Sequence, residues 1–439
     1  MTGPTVLAAG VQDRQIATML LDIGVILLVG ALLGALARRL GQPKVTGEIL
    51  AGILLGPSVL GLLPGHLTER LFPTDVRPFL SAVSQVGLVL FMFVVGWEFE
   101  RQLIRPYARL AASVSLSSIA LAFGLGVATA VVLYPSHDTV AGHHISFLAF
   151  ATFLGTAMSI TAFPVLARIL TENGLTETRL GTLSLGSAAI DDVLAWCLLA
   201  YVSALVTSDG DLAGLARIGA YSAVYVALMF LVVRPLVARL VWRWAAMERW
   251  NLLLAVLCAG VFASSWLTSW IGIHQIFGAF LFGFVMPREP RRVLAANLRR
   301  PLDNASLVLL PVFFIVTGLG VDLGALTATD CLALVLVIAV ACAGKLIGAI
   351  VPARLSGLSW REAKDLGVLM NTRGLTELII LNAAVSLGVL DGRMFTMLVI
   401  MALVTTAMAA PLLSPREHLT AGGTRKARTP VADATAPHT

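Results

Sequence analysis

The chain has 439 residues, of which 58% are apolar and 13% charged, against about 45–50% and about 25% in soluble globular domains. That balance excludes an ordinary soluble protein and points to lipid as the solvent. The formal net charge of +6 sits mostly in short gaps between long apolar runs, with no contiguous basic stripe, which argues against a nucleic-acid partner.

In chain order, the first sixteen residues are polar and mixed, and the apolar run after them is too long for the h-region of a cleavable signal peptide. The first hydrophobic segment is therefore expected to stay in the membrane. Scanning for runs of about 20 apolar residues predicts thirteen transmembrane helices, over 17–38, 45–63, 79–98, 108–133, 145–170, 179–205, 214–241, 250–270, 272–286, 304–320, 331–352, 364–388 and 392–413. The ninth is short. From Pro415 to Thr439 the chain is polar, with Gly, Pro and a basic Arg425-Lys426-Ala427-Arg428 cluster, and reads as a disordered tail. The expected organisation is an N-terminal segment over 1–16, a membrane domain over 17–413 and a tail over 414–439. Cys197, Cys258, Cys331 and Cys342 are isolated in apolar stretches, with no ligand spacing, and read as small packing residues.

Cytoplasmic loops retain Lys and Arg, which tests the helix count. Odd-numbered loops hold twenty basic residues, including Arg38, Arg39, Lys44, Arg101, Arg105 and Arg109, whereas even-numbered loops hold four, Arg70, Arg77, Arg217 and Arg393. Thirteen spans with the N-terminus outside and the tail in the cytoplasm satisfy the rule. The expected location is a bacterial inner membrane or a plasma membrane.

The chain also repeats itself. Glu48–Gly56 in span two matches Gln275–Gly283 in span nine in polarity and closing Gly, and Phe91–Glu100 at the end of span three matches Phe313–Asp322 at the end of span ten. The copies lie seven helices apart. An odd offset reverses the second copy through the bilayer, giving the inverted-topology repeats used by many secondary transporters.

A charged side chain at mid-membrane costs about 2.5–3.5 kcal/mol even on a permissive scale, and five need an explanation: Asp191, Asp192, Lys345, Arg373 and Glu377. The adjacent Asp191 and Asp192 lie at the middle of span six. Neighbours on a helix point about 100° apart, so one carboxylate can face a cavity while the other faces a partner helix. Three acids and two bases leave one unmatched negative charge, suited to one proton or one monovalent cation competing for the same carboxylate. Lys345 either pairs with Asp191 or snorkels to the cytoplasmic side; as a partner it could add a second proton to the cycle. Arg373 and Glu377 stand at i, i+4 and can pair, either bracing the bundle or touching the ion.

Spans five and twelve carry helix-breaking chemistry at mid-depth, Ser159-Ile160-Thr161-Ala162-Phe163-Pro164 and Asn371-Thr372-Arg373-Gly374. They are seven apart, so broken helices there would bring half-helix ends to one site; a Pro kink without a break stays open for span five. Glu48 is expected as a residue of a water-reachable mouth or as a capping acid, and His143, His144 and His274 as solvated histidines. Gly344-Lys345 is followed by Leu346 and so fails the phosphate-loop pattern, and no dinucleotide fingerprint or HExxH occurs. No cofactor is expected, nor an enzyme activity. Adjacent acids also cannot face each other across a substrate as those of an intramembrane aspartyl protease do.

Six segments carry a family resemblance: GEILAGILLGP (Gly47–Pro57), FMFVVGWE (Phe91–Glu98), SITAFPVLARIL (Ser159–Leu170), IDDVLAW (Ile190–Trp196), GKLIG (Gly344–Gly348) and LMNTRGLTELIIL (Leu369–Leu381). Together they resemble the monovalent cation:proton antiporter family, second branch, over residues 17–413. The resemblance implies an all-α integral membrane fold of thirteen helices, divided into a dimerisation domain and a mobile core domain, with two broken helices crossing near the ion site. It implies an elevator-type movement and a homodimer in the bilayer. Asp192 is then the acid that binds Na⁺ or K⁺ and the proton, and Asp191 pairs with Lys345. Thr161, Asn371, Thr372, Arg373 and Glu377 border the site.

The Asp-Asp pair resembles the electrogenic subclass, which exchanges more than one proton per cation. Some relatives carry a C-terminal nucleotide-binding regulatory domain; here such regulation would come from a separate subunit. A gated or passive potassium pathway and a proton-coupled exporter of organic cations are the alternative functions, although Trp196 is the only aromatic close to Asp192 in sequence.

Overall fold

In the computed structural model the chain is described over residues 4–65, 67–98, 107–140, 142–175, 178–208, 211–289 and 291–413. The first half comprises α1 (Pro4–Arg39), α2 (Lys44–Leu55), α3 (Leu67–Leu71), α4 (Arg77–Glu98), α5 (Ala108–His137), a minimal hairpin of β1 (Thr139–Val140) and β2 (His143–His144), α6 (Phe147–Ser159), α7 (Phe163–Glu172) and α8 (Arg179–Thr207). The second comprises α9 (Leu212–Leu228), α10 (Arg234–Ala246), α11 (Trp250–Ile271), α12 (Ile276–Val285), α13 (Arg291–Leu294), α14 (Arg300–Leu319), α15 (Ala328–Leu355), α16 (Trp360–Met370), α17 (Leu375–Ser386), α18 (Gly392–Ala407) and α19 (Ala409–Leu412). Among the described residues, nine helices are long and apolar enough to cross a membrane, and four apolar helices are shorter.

Helix boundaries follow local chemistry. Thr327 and Asp330 form a capping box at the start of α15, as do Ser359 and Glu362 at the start of α16, each satisfying N–H groups that a helix start leaves unpaired. Helix α1 begins at Pro4, so most of the expected N-terminal segment is helical. The tail over 414–439 and the loop basic residues Arg101 and Arg105 lie outside the described residues. The span-five region is broken rather than kinked: α6 stops at Ser159, Ile160–Ala162 are not helical, and Pro164 falls in the first turn of α7, where its missing N–H has no intrahelical partner to lose.

The helix pairs that pack most closely fall within two groups, joined in this respect only by the α8–α9 connection. One group holds α1, α2, α4, α9 to α12 and α14; the other holds α5 to α8 and α15 to α19. Glycines allow the closest approaches in the first. A Cβ on Gly96 of α4 would collide with the carbonyl of Phe280 on α12, and one on Gly283 of α12 with the carbonyl of Phe93 on α4; Gly52 of α2 and Gly318 of α14 meet in the same way. The two groups touch through Trp196 of α8 against Phe277 of α12, with ring centroids 6.1 Å apart, and through a 2.9 Å hydrogen bond from Asn382 Nδ2 to Thr317 Oγ1.

Three expectations are corrected. Cys197 and Cys331 are exposed, so these two are not packing residues, whereas Cys258 and Cys342 are half-buried and Cys258 packs against the main hydrophobic core; a thiol is apolar enough to face hydrocarbon. Glu48 is buried at 3% exposure, 2.7 Å from Lys44 one turn earlier, because Gly47 lets α1 lie directly over that part of α2. His274 is not freely solvated: its Nδ1 is buried without a hydrogen-bond partner among the described residues. His143 and His144, on β2, are exposed.

Candidate functional site

Both mid-depth breaks meet at one place. The backbone N–H of Ala162 donates to the carbonyl of Thr372 at 3.1 Å, and the Thr161 hydroxyl donates to the carbonyl of Met370 at 2.7 Å. Each unwound strand thus satisfies backbone groups that the other exposes, as irregular backbone inside a membrane requires. Thr372 closes its own turn on the Leu369 carbonyl. Thr406 of α18 holds the Arg373 backbone on both sides, accepting from its N–H at 3.0 Å and donating to its carbonyl at 2.7 Å. Asn371 reaches Cys342 Sγ at 3.5 Å with its Nδ2, and its buried Oδ1 has no hydrogen-bond partner among the described residues.

Four half-helix ends result. The C-termini of α6 and α16 carry partial negative charge and the N-termini of α7 and α17 partial positive charge. Arg373, buried at 0% exposure, lies against the first of these: one guanidinium nitrogen donates to the carbonyl of Ala157 at 2.7 Å and the other to that of Met158 at 2.6 Å. Glu377 stands 3.3 Å from the same guanidinium. The pair therefore braces the crossing, and Arg373 is spent on carbonyls of α6 that the broken helix leaves open.

The two adjacent acids of α8 face different partners. Asp191, fully buried, accepts from Lys345 Nζ of α15 at 2.8 Å and from the Ser115 hydroxyl of α5 at 2.5 Å. Lys345 is also fully buried, so the snorkelling alternative does not describe it. It further donates to Ser118 at 3.3 Å. The GKLIG motif explains this placement: a Cβ on Gly344 would stand 2.7 Å from the Cα of Ala122, so α15 lies flush against α5 and the Lys345 side chain runs across the contact to α8.

Asp192 points elsewhere. Its Oδ1 accepts from the Thr376 hydroxyl, in the first turn of α17, at 3.3 Å, and it also accepts from the backbone N–H of Phe163, the first residue of α7. Both donors come from N-terminal half-helix ends, which favour a negative charge. Among the described residues no cationic side chain pairs with Asp192, and none of the described His, Cys, Asp and Glu residues form a group of three able to hold a metal ion. The arrangement leaves one carboxylate matched by Lys345 and one available to a proton or a monovalent cation.

Sequence reading missed Ser115, Ser118, Thr376 and Thr406 as partners. Ser115 and Ser118 are two of four serines, with Ser113 and Ser117, in one stretch of α5, and nothing in that stretch sets them apart; Thr376 is visible only as the residue before Glu377. Asp22 of α1 was also missed: it is fully buried in the first helix group, with neither carboxylate oxygen hydrogen-bonded among the described residues.

Residues 24–415 match the profile of the transmembrane sodium/hydrogen exchanger family. The chain is 43% identical over 411 residues to the Na(+)/H(+) antiporter NhaS4 of Synechocystis, covering 92% of this chain and 98% of that protein. It is 34% identical to the K(+)/H(+) antiporter 1 of Saccharomyces cerevisiae, matching 91% of this chain but only 46% of that longer protein. The sodium proton antiporter MjNhaP1 of Methanocaldococcus jannaschii shares the fold, with a TM-score of 0.63 at 13% identity over 91% of this chain and 96% of that one.

Proposed function

Because the chain belongs to the sodium/hydrogen exchanger family of membrane antiporters, we propose that it exchanges a monovalent cation, Na⁺ or K⁺, for protons, with Asp192 as the carboxylate that holds each in turn. The observation that carries this reading is the division of labour on α8, where Lys345 and Ser115 engage Asp191 while, among the described residues, Asp192 keeps only a hydroxyl and a backbone N–H. A cation and a proton then compete for one site, and competition couples their fluxes. Thr161, Asn371, Thr372, Arg373 and Glu377 shape the crossing beside it.

The exchange is electrogenic in this reading. Lys345 releases its proton when Asp191 is drawn toward the bound cation, so that two protons move against one cation. Thirteen crossings with inverted repeats agree with the breaks seven spans apart and with the paired glycine contacts of α4 with α12 and α2 with α14. The two helix groups suit an elevator, the α5–α8 and α15–α19 group moving past the other as a homodimer holds the latter fixed. The N-terminus outside, the tail in the cytoplasm, and a plasma or inner membrane follow from the loop charges; regulation by a separate subunit belongs to the same reading.

The test uses purified protein in acid-loaded liposomes with an internal pH-sensitive dye, adding Na⁺ or K⁺ in turn to wild type and Asp192→Asn. Cation-dependent alkalinisation that the variant lacks establishes exchange and names the cation. Movement of labelled cation without protons identifies a passive pathway instead, and movement of neither redirects the search to organic cations.

A further inference from the structure

Residues Ala213–Ala246 form one apolar stretch of 34 residues, running through α9, a single wide turn at Met229–Val233 and α10. At about 1.5 Å per residue its length is about 51 Å, well beyond the hydrocarbon thickness of about 30 Å. Aromatic side chains mark where the two membrane surfaces fall. Tyr221 of α9 stacks on Trp270 of α11 with ring centroids 6.2 Å apart, and Trp242 of α10 stands 21 residues further on, about 32 Å along the helix. On α11, which runs back beside it, Trp250 and Trp270 lie 20 residues apart, about 30 Å. Trp and Tyr collect at membrane–water boundaries, so both helices put one boundary at Tyr221 and Trp270 and the other at Trp242 and Trp250.

The second boundary is basic. Arg234, Arg239 and Arg243 are exposed there. No Asp or Glu occurs between Asp211 and Glu248, and α11, on which α10 packs, has no acid either. Among the described residues none of the three arginines forms an ion pair. Val237 and Val241 bury one side of α10; Arg239 and Arg243, two residues on from each, sit about 200° round the helix, on its outward side. Like charges one turn apart repel, so nothing within the helix stabilises that pairing. Leu236 and Trp242 beside them are 59% and 58% exposed. Water disfavours that much free apolar surface and hydrocarbon disfavours the arginines. The headgroup layer suits both, with the apolar side chains dipping inward and the guanidinium groups reaching outward.

We propose that the outward face of α10 docks the phosphate headgroups of anionic phospholipids, with Arg239 and Arg243 as the main contacts and Arg234 flanking them. A guanidinium presents a planar fork of donors that matches phosphate oxygens. Lipid docking here does not depend on the exchange reaction: α10 belongs to the first helix group, whereas Asp192 and its partners lie in the second.

The experiment titrates the full chain in mild detergent with phosphatidylglycerol, phosphatidylcholine or inorganic phosphate. Bound lipid is read by native mass spectrometry and, in parallel, as the rise in melting temperature, for wild type, Arg239→Gln, Arg243→Gln, the double variant and Arg217→Gln. Wild type is expected to hold phosphatidylglycerol more tightly than phosphatidylcholine. Each single variant of α10 weakens the tightest phosphatidylglycerol by about fivefold and the double by about 25-fold, the factor expected for basic side chains beside anionic lipid. Arg217→Gln removes the same charge from α9 at the opposite boundary and leaves that affinity unchanged. Arg239→Lys with Arg243→Lys keeps the charge without the fork, falls between wild type and the double variant, and serves if the double variant does not fold. A double variant that binds phosphatidylglycerol as wild type does, an equal loss in Arg217→Gln, or no preference over phosphatidylcholine overturns the assignment. Displacement of phosphatidylglycerol by inorganic phosphate overturns it in favour of a soluble anion.

Discussion

Ala162 donates its backbone N–H to the carbonyl of Thr372 at 3.1 Å, tying the gap in one broken helix to the gap in the other. The bond joins residues in the two sequence halves, and it sets the half-helix ends around Asp192. Everything that holds this crossing therefore bears on the site.

Arg373 is the most committed of those groups. Arg373→Gln is expected to destabilise by about 3–5 kcal/mol, because it strands Glu377 and leaves the Ala157 and Met158 carbonyls unpaired. Glu377→Gln leaves those carbonyls satisfied and is expected to be milder. Thermal unfolding in detergent of both singles and the double variant should show the double less destabilised than the sum; strict additivity would mean that the pair is not coupled.

The α4–α12 contact predicts a steep response to small additions. Gly96→Ala places a methyl on the Phe280 carbonyl, a backbone atom that cannot yield without moving α12, and is expected to cost about 3 kcal/mol or more. Gly24→Ala, where no atom lies within 4 Å of the added Cβ, is expected to leave the melting temperature unchanged. Equal behaviour of the two variants would contradict the close approach.

Where the end of α5 meets the start of α18, Asp391 caps α18 through the Met394 N–H and lies 2.8 Å from His137 Nδ1. Burial by itself would push its carboxyl up, but the hydrogen bonds from His137 and Met394, with Arg393 nearby, hold it below the usual carboxylate range. Such a carboxyl stabilises the fold above its unfolded value of about 4, and the contribution is lost as pH falls through its lower folded value. The melting-temperature deficit of Asp391→Asn at pH 7 should therefore shrink as the pH drops below about 4; a deficit independent of pH down to pH 2 would rule out this electrostatic origin.

Asp22 offers the opposite case. Its carboxylate is buried in the first helix group with no hydrogen-bond partner among the described residues. Replacing an unsatisfied polar group by an apolar one of similar shape is neutral or stabilising, so Asp22→Leu should hold or raise the melting temperature and preserve cation-driven alkalinisation. A loss of either would reveal that Asp22 has a ligand.

Much of this protein was legible in its sequence because a bilayer imposes one-dimensional rules. Hydrocarbon thickness sets the apolar run length, and the expense of intramembrane charge makes Asp191, Asp192, Lys345, Arg373 and Glu377 conspicuous without any fold in view. The helix-breaking pairs at Thr161 and Asn371 to Gly374 were equally plain. What only the tertiary structure decided is which group each charge serves. That choice depends on how helices far apart in the chain are rotated and seated against one another. Ser115 lies 76 residues from Asp191 and Lys345 lies 154 from it, so no local pattern relates them. The same holds for Arg373, which sequence spacing pairs with Glu377 and which the crossing turns onto the carbonyls of α6. Glu48 on α2 and Asp22 on α1 show the limit most plainly, since both are buried in the assembled bundle and a single helix read alone gives no sign of its neighbour's face.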